Sequence, residues 1–251
     1  MSVKGALISI LILSISVLLA TAHAYADGGT NPSSSGSIDT STSSPPEGLP
    51  GAPLTMVEFG DYQCPHCDGW FKNSYTAIKS DYIDTGKLKF YFVDIPYEGP
   101  DSLPASEATY CAGDQGKYWQ YHDMLYENQG PIQSGWAAPA SLKQFASRLG
   151  LNQTSFNSCL DSGKYSGRVS HNKQIALDDG VQGTPTFFIV GPNGTAARIV
   201  GDQPTGVFTG AIDSMYAQAV PEFGPVAAAV LAVALISITA ATARSSLRLS
   251  P

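Results

Sequence analysis

The sequence predicts an α/β domain: a βαβ unit and a ββα unit with an all-helical block inserted between them. Three observations predict it. An apolar, β-prone run from Pro53 to Phe59 gives way to residues at helical spacing and then to a second β-prone run, Lys87 to Val93. From about 100 to 180 the apolar residues recur at helical spacing. Finally, Thr186 to Val190 and Ala197 to Val200 flank the turn Pro192-Asn193-Gly194 as a hairpin, and a last amphipathic stretch follows.

Each element has its own warrant. Phe71, Tyr75, Ile78 and Tyr82 place a helix from about Pro65 to Asp81. The inserted block reads as five helices. The first runs from about Pro104 to Gly113 and the second from Gly116 to Asn128. The third starts at Pro139, carries Leu142, Phe145, Ala146 and Leu149 on one face, and stops at Gly150. The fourth lies near 153–161, and the fifth runs from about 166 to Asp179 with Gly180 as its stop. Phe208, Ala211, Ile212, Met215 and Ala219 form the apolar face of the last helix. These elements span residues 52–219, with the insertion at about 100–180.

The flanks differ in kind. Only 14% of the 251 residues are charged, below the usual quarter. Residues 1–26 read as a signal peptide, or an N-terminal anchor: Lys4, an apolar stretch from Ala6 to Ala20, then Ala22-His23-Ala24 and Ala24-Tyr25-Ala26. Residues 27–51 are Gly, Ser, Thr and Pro with almost no large apolar side chain, the composition of a disordered linker. After a short linker at 220–225, residues 226–243 carry no charge and would span about 27 Å as a helix. Arg244 and Arg248 follow, so 244–251 is expected to form a basic cytoplasmic tail. The domain is then expected on the extracytoplasmic face of the cell membrane, tethered through its C-terminal helix.

Charge narrows the function. There are 14 Lys and Arg against 21 Asp and Glu, a net charge of −7. That excludes the basic footprint of a nucleic-acid binder.

The chemistry concentrates in four cysteines: Cys64, Cys67, Cys111 and Cys159. Cys64-Pro65-His66-Cys67 lies where the first strand becomes the first helix, and such a pair in a βαβ setting reads as a redox pair. Positions i and i+3 are neighbours on a helix, so the two sulfurs can close a small disulfide ring. Cys64 falls at the N-cap and Pro65 at the first helical position, where its missing N–H costs nothing. The free N–H groups and the positive end of the dipole favour a thiolate at Cys64, making it nucleophile and leaving group. His66 adds a donor or a positive charge, and Cys67, one turn deeper, is the resolving thiol. Alternatives are a plain local disulfide, or half of a zinc site. Zinc needs two more ligands, and Cys111, Cys159, His122 and His171 each stand alone, so no metal is expected. Gly183-Thr184-Pro185-Thr186 precedes the third strand, and Pro185 there is a candidate for a cis peptide.

The chain resembles thioredoxin-fold proteins of the DsbA-like branch. The resemblance rests on Cys64-Pro65-His66-Cys67, the preceding Val57-Glu58-Phe59, and Gly183-Thr184-Pro185-Thr186-Phe187-Phe188. Cys111-Ala112, Gln115-Gly116-Lys117-Tyr118-Trp119 and Tyr121-His122 also match that branch's insertion. It covers about 52–219. It implies a protein thiol–disulfide oxidoreductase without cofactor, acting as a dithiol oxidase on exported proteins with cysteine thiols, and a membrane or small-molecule redox partner that restores the pair. It implies that Thr184 and Pro185 form the loop facing Cys64, with the Thr184 backbone pairing with substrate. Glu58 resembles the family's buried acid that passes protons to and from Cys67, with Asp61 a weaker candidate. Once Cys64 pairs with Cys67, Cys111–Cys159 remains as a structural disulfide, as in some members. Closing its loop of about 49 residues would add on the order of 4 kcal/mol. Two free thiols or a second redox relay stay open. Residues 27–51 are too short and polar for the dimerisation domain of the branch's isomerases, and we expect a monomer. A reductase or isomerase with the same site, and a soft-metal (copper) carrier using the two thiols, are the competing functions. Pro221-Glu222-Phe223-Gly224 resembles the PEF-type sorting tails of exported archaeal proteins.

Overall fold

Strand β1 (Leu54–Gly60) is buried along almost its whole length. The reason is its place inside a four-stranded sheet of order β2-β1-β3-β4, with β2 Leu88–Asp94, β3 Thr186–Val190 and β4 Ala196–Val200. The β1–β2 pair is parallel, in register Leu54 to Leu88. The β1–β3 and β3–β4 pairs are antiparallel. The computed structural model describes residues 38–220. The signal expected over 1–26, residues 27–37 of the expected linker, the segment 221–225, the span over 226–243 and the tail 244–251 lie outside the described residues. Among the described residues no helix is long and apolar enough to cross a membrane.

Helix α1 runs continuously over 65–83, as two α segments, Pro65–Trp70 and Thr76–Ile78, and two π turns, Phe71–Tyr75 and Lys79–Ile83. It therefore ends two residues beyond the expected Asp81. Tyr75, Ile78 and Tyr82 are buried as their spacing predicts. Together with Trp70 and with Phe208 and Ile212 of α7 (Thr205–Ala219), they cover one face of the sheet over Leu54, Met56, Phe90 and Phe187. The opposite face packs Val57, Phe59, Val93 and Phe188 against Ile175 and Ala176 of α6 (Ser166–Asp178).

The insertion holds α2 (Ser102–Gly113), α3 (Tyr118–Glu127), α4 (Pro139–Arg148), α5 (Gln153–Asp161) and α6. Their shared core contains Tyr121, Leu125, Leu142, Phe145, Phe156 and Leu160 around Cys111 and Cys159. One expected boundary is wrong. Gly116 has φ +72° and ends the turn after α2, so α3 starts at Tyr118, not at Gly116. A left-handed residue closes a helix and cannot open one.

Residues 38–51, expected to belong to a disordered linker, are also a correction. Glu47 pairs antiparallel with Phe90, each backbone N–H donating to the other's carbonyl at 2.9 Å. Ser44 N–H donates to the Phe92 carbonyl at 2.8 Å, and the Phe92 N–H returns a bond to Ser44 Oγ at 2.9 Å. Tyr75 Oη and Lys79 Nζ each donate to the Glu47 carboxylate at 2.6 Å. Thr42 donates to Asn172 of α6 at 2.6 Å, and Arg168 donates to the Thr42 carbonyl at 2.8 Å. Composition counts apolar area. This segment is held by polar pairing along the free edge of β2, which would otherwise stay exposed.

Candidate active site

β1 delivers the chain into a turn organised by Asp61. Its buried carboxylate accepts the N–H of Gln63 at 2.9 Å, of Tyr97 at 2.7 Å and of Glu98 at 2.8 Å. Those bonds make Asp61 a turn-building residue. The Cys64 N–H donates to the Asp61 carbonyl at 3.0 Å, and Cys64 becomes the N-cap of α1 in an extended conformation, with Pro65 beginning the helix.

Cys64 and Cys67 are both free thiols here, so the geometry is that of the dithiol. Their environments pull them apart. The Cys64 thiol is lowered to about 6, first because the Cys67 thiol donates to its sulfur. The Thr184 hydroxyl and the backbone N–H groups of Cys67 and His66 add to this, against an opposing penalty from burial. Cys67 is pushed well up by burial, by giving its hydrogen bond to Cys64, and by the Glu58 carboxylate. Glu58 is fully buried, and neither of its carboxylate oxygens has a hydrogen-bond partner among the described residues. Burial, with the Cys64 thiolate adding, pushes its carboxyl well above the usual carboxylate range.

Across the sulfur stands the loop before β3. The Thr184–Pro185 peptide is cis, and Cys64 Sγ donates to the Thr184 carbonyl at 3.4 Å. Thr186 Oγ1 donates to the Gly183 carbonyl at 2.7 Å, and the Gly201 N–H donates to the Pro185 carbonyl at 2.8 Å, fixing that loop to β4's end. The structure thus brings together Cys64, Cys67, Glu58, Thr184 and Pro185. Pro65 and the His66 imidazole lie exposed beside them, and residue 66 reaches the sulfur through its backbone N–H. Cys111 and Cys159 lie apart, bonded sulfur to sulfur inside the insertion.

Nothing in the linear sequence marks one contact at this site. The Gln129 side-chain amide, just beyond α3, donates to the Tyr62 carbonyl at 2.7 Å and to the Cys64 carbonyl at 3.1 Å. The crowded aromatics of α3 explain its placement. Tyr126 stacks on Phe71 of α1 at 5.1 Å and packs on Tyr62 at 5.2 Å.

The thioredoxin family profile Thioredoxin_4 matches residues 40–200. The chain belongs to the thioredoxin family. Over 141 residues this thioredoxin-family chain is 30% identical to disulfide bond formation protein D of Bacillus subtilis, a match that takes in 55% of this chain and 64% of that protein. It therefore spans less than two thirds of that relative. Among solved structures, oxidised BdbD from Bacillus subtilis superposes with a TM-score of 0.66 at 25% identity, covering 74% of this chain and 99% of that one. Wolbachia pipientis alpha-DsbA1 superposes at 0.64 with 26% identity, covering 70% and 92%.

Proposed function

We propose that this chain is an extracytoplasmic thiol–disulfide oxidoreductase that introduces disulfides into exported proteins through Cys64 and Cys67. One observation carries the reading: two thiols three residues apart, the outer at a helix N-terminus and lowered to about 6, the inner buried and pushed well up. In the oxidised form a substrate thiolate attacks Cys64 Sγ. The Cys64–Cys67 bond breaks, and a mixed disulfide forms. Cys67 leaves as a thiolate that its buried site disfavours, and takes a proton from the Glu58 carboxyl. The substrate's second thiolate then attacks the substrate sulfur of the mixed disulfide and expels Cys64 as a stable thiolate. Two electrons pass from substrate to protein, and a membrane or small-molecule oxidant removes them.

The stabilised Cys64 thiolate favours the reduced form and so makes the disulfide oxidising. The Thr184 backbone is the element that would pair with an extended substrate strand. The Cys111–Cys159 bridge suits an oxidising compartment, as do the signal-like and span-like ends of the sequence. The test is the reduction potential of Cys64–Cys67 against glutathione. A value near about −120 mV supports the oxidase direction, and one near about −270 mV refutes it.

A further inference from the structure

The redox turn is gripped from outside its own strand and helix. Beside the aromatic packing of Tyr62 on Tyr126, the insertion side also grips this turn through polar contacts. The Gln63 amide donates to Ser102 Oγ at 2.9 Å, and its oxygen accepts the Gln133 N–H at 3.1 Å. Gln133 has φ +59°, and the Asp61 carboxylate accepts the Tyr97 and Glu98 N–H groups. Gln129 makes the contact nearest the sulfur, because it bonds to the carbonyl of the nucleophile itself.

That carbonyl opens helix α1. It already accepts the Asp68 N–H at 3.1 Å, so Gln129 takes its remaining lone pair. The same amide holds the Tyr62 carbonyl at 2.7 Å, so both carbonyls bracketing the turn face one donor group. Without that donor, the Tyr62 carbonyl loses its partner and the Cys64 carbonyl keeps only the Asp68 N–H, so negative dipole ends lie less compensated beside a sulfur that must carry negative charge. The grip also fixes the Cys64 backbone, and with it the aim of Sγ at Thr184. The position of Gln129 does not depend on the grip. Its N–H donates to the Tyr126 carbonyl at 3.2 Å, and Tyr126 is buried among Phe71, Tyr62 and His122.

We infer that Gln129 is a positioning residue for Cys64: its amide, donating to the Tyr62 and Cys64 carbonyls, sets the geometry and charge environment of the nucleophilic sulfur. The inference rests on the proposed redox role of Cys64. It couples the insertion to the reacting sulfur, since Gln129 lies at the end of an insertion helix.

The test uses the full chain with Gln129→Met, Gln129→Glu and Gln129→Lys. Met keeps the shape without a donor, Glu offers acceptors only, and Lys keeps a donor. The pH profile of Cys64 alkylation by iodoacetamide is read on the peptide carrying residue 64, and thermal unfolding of the oxidised form controls for folding. The expected midpoints follow donor polarity. Glu moves the profile up by about one pH unit, a tenfold loss of thiolate below the midpoint, Met moves it up by less, and Lys leaves it in place or moves it down. Three profiles matching the unsubstituted protein would overturn the assignment. So would equal shifts in one direction for Met, Glu and Lys, which is what a packing role alone gives. Alkylation needs no redox activity. If the unsubstituted protein fails to form a Cys64–Cys67 disulfide with oxidised glutathione, the oxidoreductase reading falls while the alkylation order still decides the role of Gln129.

Discussion

Removing the Cys67 thiol should raise the Cys64 titration by one to two pH units, because the Cys67 hydrogen bond is the largest of the influences that hold Cys64 at about 6. A hydrogen bond to a charged group contributes about 1.5–3 kcal/mol. At about 1.36 kcal/mol per pH unit, its loss places Cys64 in Cys67→Ala at about 7 to 8. At pH 7 the thiolate share falls from about nine-tenths to between one-half and one-tenth. Cys67→Ser retains a donor at the same place and should stay near the starting value. The assay is thiolate absorbance, or the alkylation rate of Cys64, followed from pH 4 to 10 in both variants. Cys64 is almost completely buried, so solvent screening does little to blunt the effect. If Cys67→Ala still titrates near 6, the backbone N–H groups of residues 66 and 67 and the helix end suffice alone, and the hydrogen-bond argument is refuted.

Three further outcomes follow from the same geometry. The folded Cys64 pKa lies below the unfolded value, so the reduced form gains stability that is absent below about pH 6 and grows as pH rises. At pH 7 this is about 1.4 kcal/mol relative to the disulfide form, and the raised Cys67 thiol opposes it only above about pH 8.5. Urea unfolding of both redox forms at pH 5 and pH 8 should show their difference change in that direction. Replacing Cys111 and Cys159 together by Ala removes a bridge of sequence separation 48 and should cost about 4 kcal/mol, read from denaturant midpoints. Glu58→Leu removes a fully buried carboxyl without a hydrogen-bond partner among the described residues. It should stabilise the fold by about 1–3 kcal/mol while slowing single-turnover oxidation of a dithiol peptide about a hundredfold or more. A variant that is less stable, or as fast as the unsubstituted protein, contradicts the role given to Glu58.

Short spacings were enough for the chemical centre. Cys64 and Cys67 sit three apart where an apolar strand run meets helical spacing, and local geometry alone brings two such sulfurs together at a helix N-terminus. The order of strands and helices was equally legible, because periods of two and 3.6 are written in neighbouring residues. Helix ends were less so. Gly116 looked like a start and is a stop, since its φ depends on how α2 hands over to α3.

Contacts made across long stretches of chain were decided only by the tertiary structure. Glu47 finds Phe90, Tyr75 and Lys79, which turns a segment with linker composition into a cover for the edge of β2. Asp61 reads as a weaker candidate acid, and only the fold brings the N–H groups of Tyr97 and Glu98 onto its carboxylate. Gln129 is an unremarked polar residue until α3 folds back and places its amide on the carbonyl of Cys64, 65 positions away. The sequence by itself placed Cys64 at a helix N-terminus with Cys67 one turn deeper, through spacings within one turn of helix. The partners that tune that sulfur depend on where distant segments pack, and no local periodicity records that.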